Sequence, residues 1–105
     1  MLLEELQKLI SKGESDSLEF KKTTGQRSQA AKTVCAFLNN LGGSVVFGVT
    51  DNGELTGQQV TSKTLEDITF KLRQIEPPVF PEIETIAIDS DKAAIVIRVS
   101  GKLGT

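Results

Sequence analysis

The chain has 105 residues, a length that suits one domain with a single small core. It holds one cysteine, Cys35, and no histidine, which excludes a disulfide framework within the chain, Cys/His zinc sites and histidine acid–base catalysis. The formal net charge is −2, from 12 Lys and Arg against 14 Asp and Glu, so a role on nucleic acid needs a local basic patch rather than a global positive field.

Leu2, Leu3, Leu6, Leu9 and Ile10 recur at helical spacing and Gly13 ends the pattern, which predicts a short amphipathic helix over residues 2–11. This opening is acidic and lacks a basic leader, so it does not read as a secretion signal. No apolar run approaches transmembrane length. "SLEFKK" alternates Leu18 and Phe20 against Glu19 and Lys21, the pattern of a strand with one buried face. After the loop "TTGQRS", Ala30, Ala31, Val34, Phe37, Leu38 and Leu41 form one stripe of a helix over residues 28–41, with Ser28 as its N-cap and Gly42 as its left-handed C′ residue.

Val45 to Val49 are apolar on both faces and predict a central strand. The turn signal Asp51-Asn52-Gly53 then leads into a weaker strand, Glu54 to Val60, as a hairpin. Ser62 or Thr64 caps the next helix, whose stripe is Leu65, Ile68, Leu72 and Ile75 and which Pro77-Pro78 stops. Ile83 to Ile88 and Ala93 to Val99 form a last hairpin around Asp89-Ser90-Asp91-Lys92. The order predicts an α/β (α+β) two-layer sandwich: a mixed sheet of about five strands, two main helices and a short N-terminal helix. The first two strands are joined through a helix, so they are expected to run parallel with a right-handed crossover. Residues 1–105 are read as a single domain. The stop at "SGKLGT", just past a strand, suggests an N-terminal fragment of a longer protein, and the lone thiol suits a reducing cytoplasm.

"NNLGGSVVFGVTDNGELTG" carries the chemistry-bearing signals. Gly42-Gly43 takes the chain from helix to strand almost at once. Gly48, inside an apolar strand, lets a backbone, a helix or a ligand approach closely. Asp51 reads either as a turn residue that bonds its own backbone or as a strand-end site carboxylate. Upstream, "GESDSLEFKK" places Glu14 before the first strand and Glu19 on that strand's non-core face. Glu19 is either solvated there or part of a site, and it is two residues from Lys21, which suits an ion pair.

Taken together, "ESDSLEFKK", "AFLNNLGG" and "SVVFGVTDNGELTG" resemble the Schlafen-type AlbA-like domain. Its pattern runs E-S-x-x-x-E-F-K, then A-F-x-N-x-x-G-G, then G-V-x-D-x-G. The match covers residues 14–57, and the remainder follows the family outline less specifically. The resemblance implies a DNA-binding domain at the N-terminus of transcriptional regulators. In some vertebrate Schlafen proteins it also implies RNA cleavage by three carboxylates, whose matching positions here are Glu14, Glu19 and Asp51. Those three, if gathered, would hold Mg²⁺ or Mn²⁺ through oxygen ligands, and the cation would polarise phosphate or activate water.

Phosphate contacts would fall to Lys21, Lys22, Arg27 and Lys32, with Lys71, Arg73, Arg98 and Lys102 as a second set; the bland alternative is scattered solvated charge. With no Trp, no Tyr and five Phe, stacking on unpaired bases is poorly supplied, so affinity should be modest and steeply salt-dependent. Cys35 reads as a small core residue. The "GQRS" loop lacks the lysine-bearing glycine pattern of a nucleotide-binding loop. The leading reading is a nucleic-acid-binding module, DNA before RNA, with no catalysis of its own and a homodimer as a route to a larger patch. The alternatives are a metal-dependent endoribonuclease using Glu14, Glu19 and Asp51, and a dimerisation or interaction domain.

Overall fold

The apolar run inside "GGSVVFGV" lies where an all-round apolar strand must lie, in the interior of a sheet. A computed structural model describes residues 1–76 and 81–102. In it, helix α1 (Leu3–Ser11) precedes β1 (Leu18–Lys21). A 3-10 turn (Thr24–Gln26) then leads into α2 (Arg27–Leu38), followed by β2 (Gly42–Phe47), α3 (Ser62–Arg73), β3 (Glu82–Ala87) and β4 (Ala93–Ser100). Among the described residues the sheet is four-stranded, in the order β1-β2-β4-β3. β1 pairs with β2 in parallel, and β4 pairs antiparallel with both β2 and β3. β2 and β4 are therefore the inner strands.

The period-2 alternation of the inner strands feeds two cores. Val45, Phe47, Ile95 and Ile97 face α2 and α3, against Ala30, Val34, Phe37, Ile68 and Leu72. Val46, Ala94 and Val96 point the other way, where α1 delivers Leu6 and Ile10 against Leu18, Phe20 and Ile86. The two-layer expectation describes α2 and α3 on the sheet, while α1 covers the opposite face. Cys35 is half-buried and packs against the α2–α3 core, as a small apolar residue would.

Several boundaries differ from expectation, each for a physical reason. The fifth strand, Glu54 to Val60, does not form. It touches the sheet only through isolated bridges, Val49 to Leu55 and Gln58 to Ala93. Gly57 at φ +69° bends the chain there, and the amides of Thr56 and Gly57 both donate to the Gly48 carbonyl at 2.9 and 2.8 Å instead of extending a ladder. Ser28 is not the N-cap of α2. The 3-10 turn precedes the helix, Gln26 takes the cap position, and Thr23 caps the turn by accepting from the Gly25 amide at 3.1 Å. α2 ends at Leu38, so Leu41 leaves the core stripe and is exposed. Gly42 has φ +91°, but as the first residue of β2, where a Cβ would meet the Val99 carbonyl oxygen at 2.5 Å. α3 is capped by Thr61, whose hydroxyl accepts from the Thr64 amide at 3.3 Å while the Thr64 hydroxyl accepts from the Thr61 amide at 3.0 Å. Ser62 is thus the first helical residue. The Pro77-Pro78 stop lies outside the described residues.

The β3–β4 connection matches expectation, and its chemistry is specific. One Asp89 carboxylate oxygen accepts from the Asp91 and Lys92 amides, each at 2.8 Å. The Asp91 amide bond first, then the Lys92 one, holds the Asp89 carboxyl below its ordinary value of 3.8. A depressed folded value means this stabilisation is complete above the ordinary value and is lost as pH falls through the folded one. We expect Asp89→Ala to melt below the unmodified chain at about pH 7 and to converge with it near about pH 2, read by circular dichroism. A gap that stays constant across that range would show that the charge of Asp89 does not stabilise the turn.

Candidate nucleic-acid interface

β1 and β2 run parallel, so their C-terminal ends open at the same rim of the sheet. The Lys21 carbonyl accepts from both Gly48 (2.8 Å) and Val49 (3.2 Å), which ties the end of β1 to the glycine that follows β2, where the expected strand Val45 to Val49 stops at Phe47. The close approach that Gly48 permits is to a backbone. A Cβ at this residue, whose φ is +99°, would lie 2.9 Å from Gly57 Cα. The chain therefore doubles back from the 51–53 turn and lies directly on the end of β2.

The three motif carboxylates are carried by different elements: Glu14 before β1, Glu19 within it and Asp51 in the turn after β2. β1 is an edge strand. The Phe20 amide donates to Glu14 Oε2 at 2.9 Å, so Glu14 satisfies a donor on the open edge. Glu19 is in register with Val45 and so faces the α2 side, where Lys21 Nζ lies 3.5 Å from its Oε1. The turn that carries Asp51 lies toward the α1 side. A Cβ at Gly53 would be 3.9 Å from Ile10 and 4.0 Å from Phe20. The Asp51 turn thus lies beside Ile10 and Phe20. Strand alternation sends Glu19 through to the other face, away from the Asp51 turn. Among the described residues, no group of three or more His, Cys, Asp or Glu side chains is placed to hold a metal ion. As arranged, Glu14, Glu19 and Asp51 do not fit Mg²⁺ or Mn²⁺ as a common centre.

Asp51 also does not close its turn in the way its residue type suggests. Thr50 does, accepting the Gly53 amide on its carbonyl at 2.9 Å and the Glu54 amide on its hydroxyl at 3.0 Å. Asp51 is left exposed at the tip.

The predicted cations divide. Lys21 has a side chain only 13% exposed and pairs with Glu19, so it faces little solvent. Lys22 and Lys32 are exposed and Arg27 is half-exposed; among the described residues none of the three has a carboxylate within salt-bridge distance. In the second set, Arg98 is committed to Glu82 (2.6 Å) and Glu84 (2.9 Å) on β3. Arg73 and Lys102 are exposed and Lys71 is half-buried.

Sequence reasoning missed a further connection. Thr24, a buried polar residue of the 3-10 turn, is held by the side chain of Gln58. Its amide donates to Gln58 Oε1 at 2.8 Å, and Gln58 Nε2 donates to the Thr24 hydroxyl at 3.1 Å. Arg27 Nη1 in turn donates to the Thr24 carbonyl at 3.1 Å. The residues are 34 positions apart, and nothing in the local pattern of either loop points to the pairing. The available signal was indirect: Gly48 and Gly57, which bring the segment before Gln58 onto the sheet.

No helix among the described residues is long and apolar enough to cross a membrane. A family model described as Schlafen, AlbA_2 matches residues 14–103, which takes in every element except α1.

Proposed function

Because the chain belongs to the Schlafen AlbA_2 family, we propose that it is a nucleic-acid-binding module of a transcriptional regulator, with DNA preferred over RNA. The family supports the class of ligand. The observation that carries the choice of surface is the corner where β1 hands over to α2. Lys22 and Arg27 flank the 3-10 turn and Lys32 is exposed further along α2, all without carboxylate partners among the described residues. Cations left unpaired on an acidic chain are the ones available to phosphate. Lys21, sheltered and paired with Glu19, contributes its field rather than a direct contact.

The carboxylates favour this reading over cleavage. Glu14 has an amide to satisfy and Glu19 a lysine to pair with, and the two do not converge with Asp51. Dispersed in this way, the three carboxylates offer no common point at which to activate water against a phosphodiester.

Fluorescence anisotropy with a labelled DNA duplex, a DNA single strand and the matching RNA tests the reading. At low salt the duplex should bind. Replacing Lys22, Arg27 and Lys32 together by alanine should weaken binding and flatten the plot of log affinity against log salt by up to about 0.9 per lost phosphate contact. No binding to any polymer at low salt would leave the interaction-domain reading. Cutting that needs Mg²⁺ or Mn²⁺ and disappears in Glu19→Ala would establish the endoribonuclease instead.

A further inference from the structure

We propose that Gln58 is a positioning residue for the phosphate-binding corner, acting through Thr24 to place Arg27. The inference rests on the binding reading above and names the residue that makes that corner specific in shape.

The chain of contacts runs outward from the sheet. Gln58 is anchored at its backbone by a reciprocal pair with Ala93: amide to carbonyl at 2.9 Å in both directions. The preceding Gly57 lies on Gly48, where no side chain separates the two backbones. The Gln58 side chain therefore leaves a fixed point on the sheet. Both ends of its amide group are used on Thr24, one accepting at 2.8 Å and one donating at 3.1 Å, and a planar group bonded at both ends defines the position of what it holds. Thr24 then offers its carbonyl to Arg27 at 3.1 Å.

The turn itself does not depend on this clasp for closure. Thr23 accepts the Gly25 amide on its hydroxyl and the Gln26 amide on its carbonyl, and Gln26 Oε1 accepts the Lys22 amide at 3.0 Å. What Gln58 adds is the turn's placement against the sheet, and with it the direction in which Arg27 presents its remaining guanidinium donors. A guanidinium must be aimed to meet a phosphate with two donors, so placement carries affinity as well as shape.

The test compares Arg27→Ala and Gln58→Met in the whole chain, using a labelled DNA duplex titrated at several salt concentrations. Gln58→Met keeps the length and apolar stem of the side chain but removes the amide, and a thermal melt of each variant checks folding. We expect Gln58→Met to reproduce the Arg27→Ala result: weaker binding, with a salt slope smaller by about 0.9. The Gln58→Met/Arg27→Ala double variant should lose no further slope. A general loss of stability lowers the fraction folded but leaves the slope of the folded fraction unchanged, so the slope separates positioning from packing. If Arg27→Ala lowers the slope and Gln58→Met does not, the positioning role is overturned alone. If Arg27→Ala leaves binding and slope unchanged, the corner is not the interface, and both readings fall.

Discussion

Replacing Leu6 by alanine is expected to lower the free energy of unfolding by about 2–5 kcal/mol, although the residue lies outside the part of the chain that the family model matches. Leu6 is fully buried, and with Ile10 it forms the buried centre of the α1 cover over Leu18, Phe20, Val46, Ile86 and Val96, with Leu3 and Leu9 packed beside them. Val46 and Val96 lie on β2 and β4, the inner strands that also feed the other core, so truncating Leu6 opens a cavity against the sheet rather than at a frayed end. The cost should appear as a lower urea midpoint with an unchanged m-value, because the unfolded chain exposes nearly the same surface. Gln7→Ala, one residue along and exposed, is the control and should shift the midpoint little. A Leu6→Ala midpoint equal to that of the control would make α1 an appendage, and the sheet would then be stable with one face open.

The parts legible in the sequence are those governed by local period and by punctuation. Apolar alternation and the all-round apolar run locate β1 and β2. The helical stripes locate α2 and α3, and Asp89 to Lys92 locate the last turn, because each signal lies within the element it predicts. The failures arise partly from contacts between segments and partly from a local turn that residue type does not reveal. Glu54 to Val60 has the composition of a strand, yet Gly57 folds it onto Gly48. Ser28 is a good cap by type, but the 3-10 turn moves the cap to Gln26. The motif carboxylates illustrate the same limit at the candidate site. Glu14 is drawn to the Phe20 amide and the Asp51 turn lies beside Ile10 and Phe20, whereas the alternation that buries Leu18 and Phe20 on one face necessarily sends Glu19 to the other. Thr24 and Gln58 were invisible because a side-chain pair across 34 residues leaves no local periodicity.

Gly48→Ala should be the most informative single substitution at the end of β2, because it tests packing and placement at once. Two effects add at this position. The residue has φ +99°, a conformation that costs a residue with a Cβ about 1–3 kcal/mol. The new methyl would also lie 2.9 Å from Gly57 Cα, 3.3 Å from Gly57 N and 3.5 Å from the Ala93 carbonyl oxygen. The first two neighbours are backbone and do not rotate away, so the 57–58 segment must lift off the end of β2. Gly13→Ala separates the two effects: its φ is +76°, but a Cβ there meets nothing within 4 Å. It should show the conformational cost alone, and the excess loss in Gly48→Ala is then the cost of the blocked approach. Equal losses in the two variants would mean that the Gly48–Gly57 contact yields freely. If the contact is as firm as two opposed backbones imply, Gly48→Ala also displaces Gln58, so the folded fraction of this variant should bind the DNA duplex with the reduced salt slope expected of Gln58→Met, while Gly13→Ala keeps the full slope.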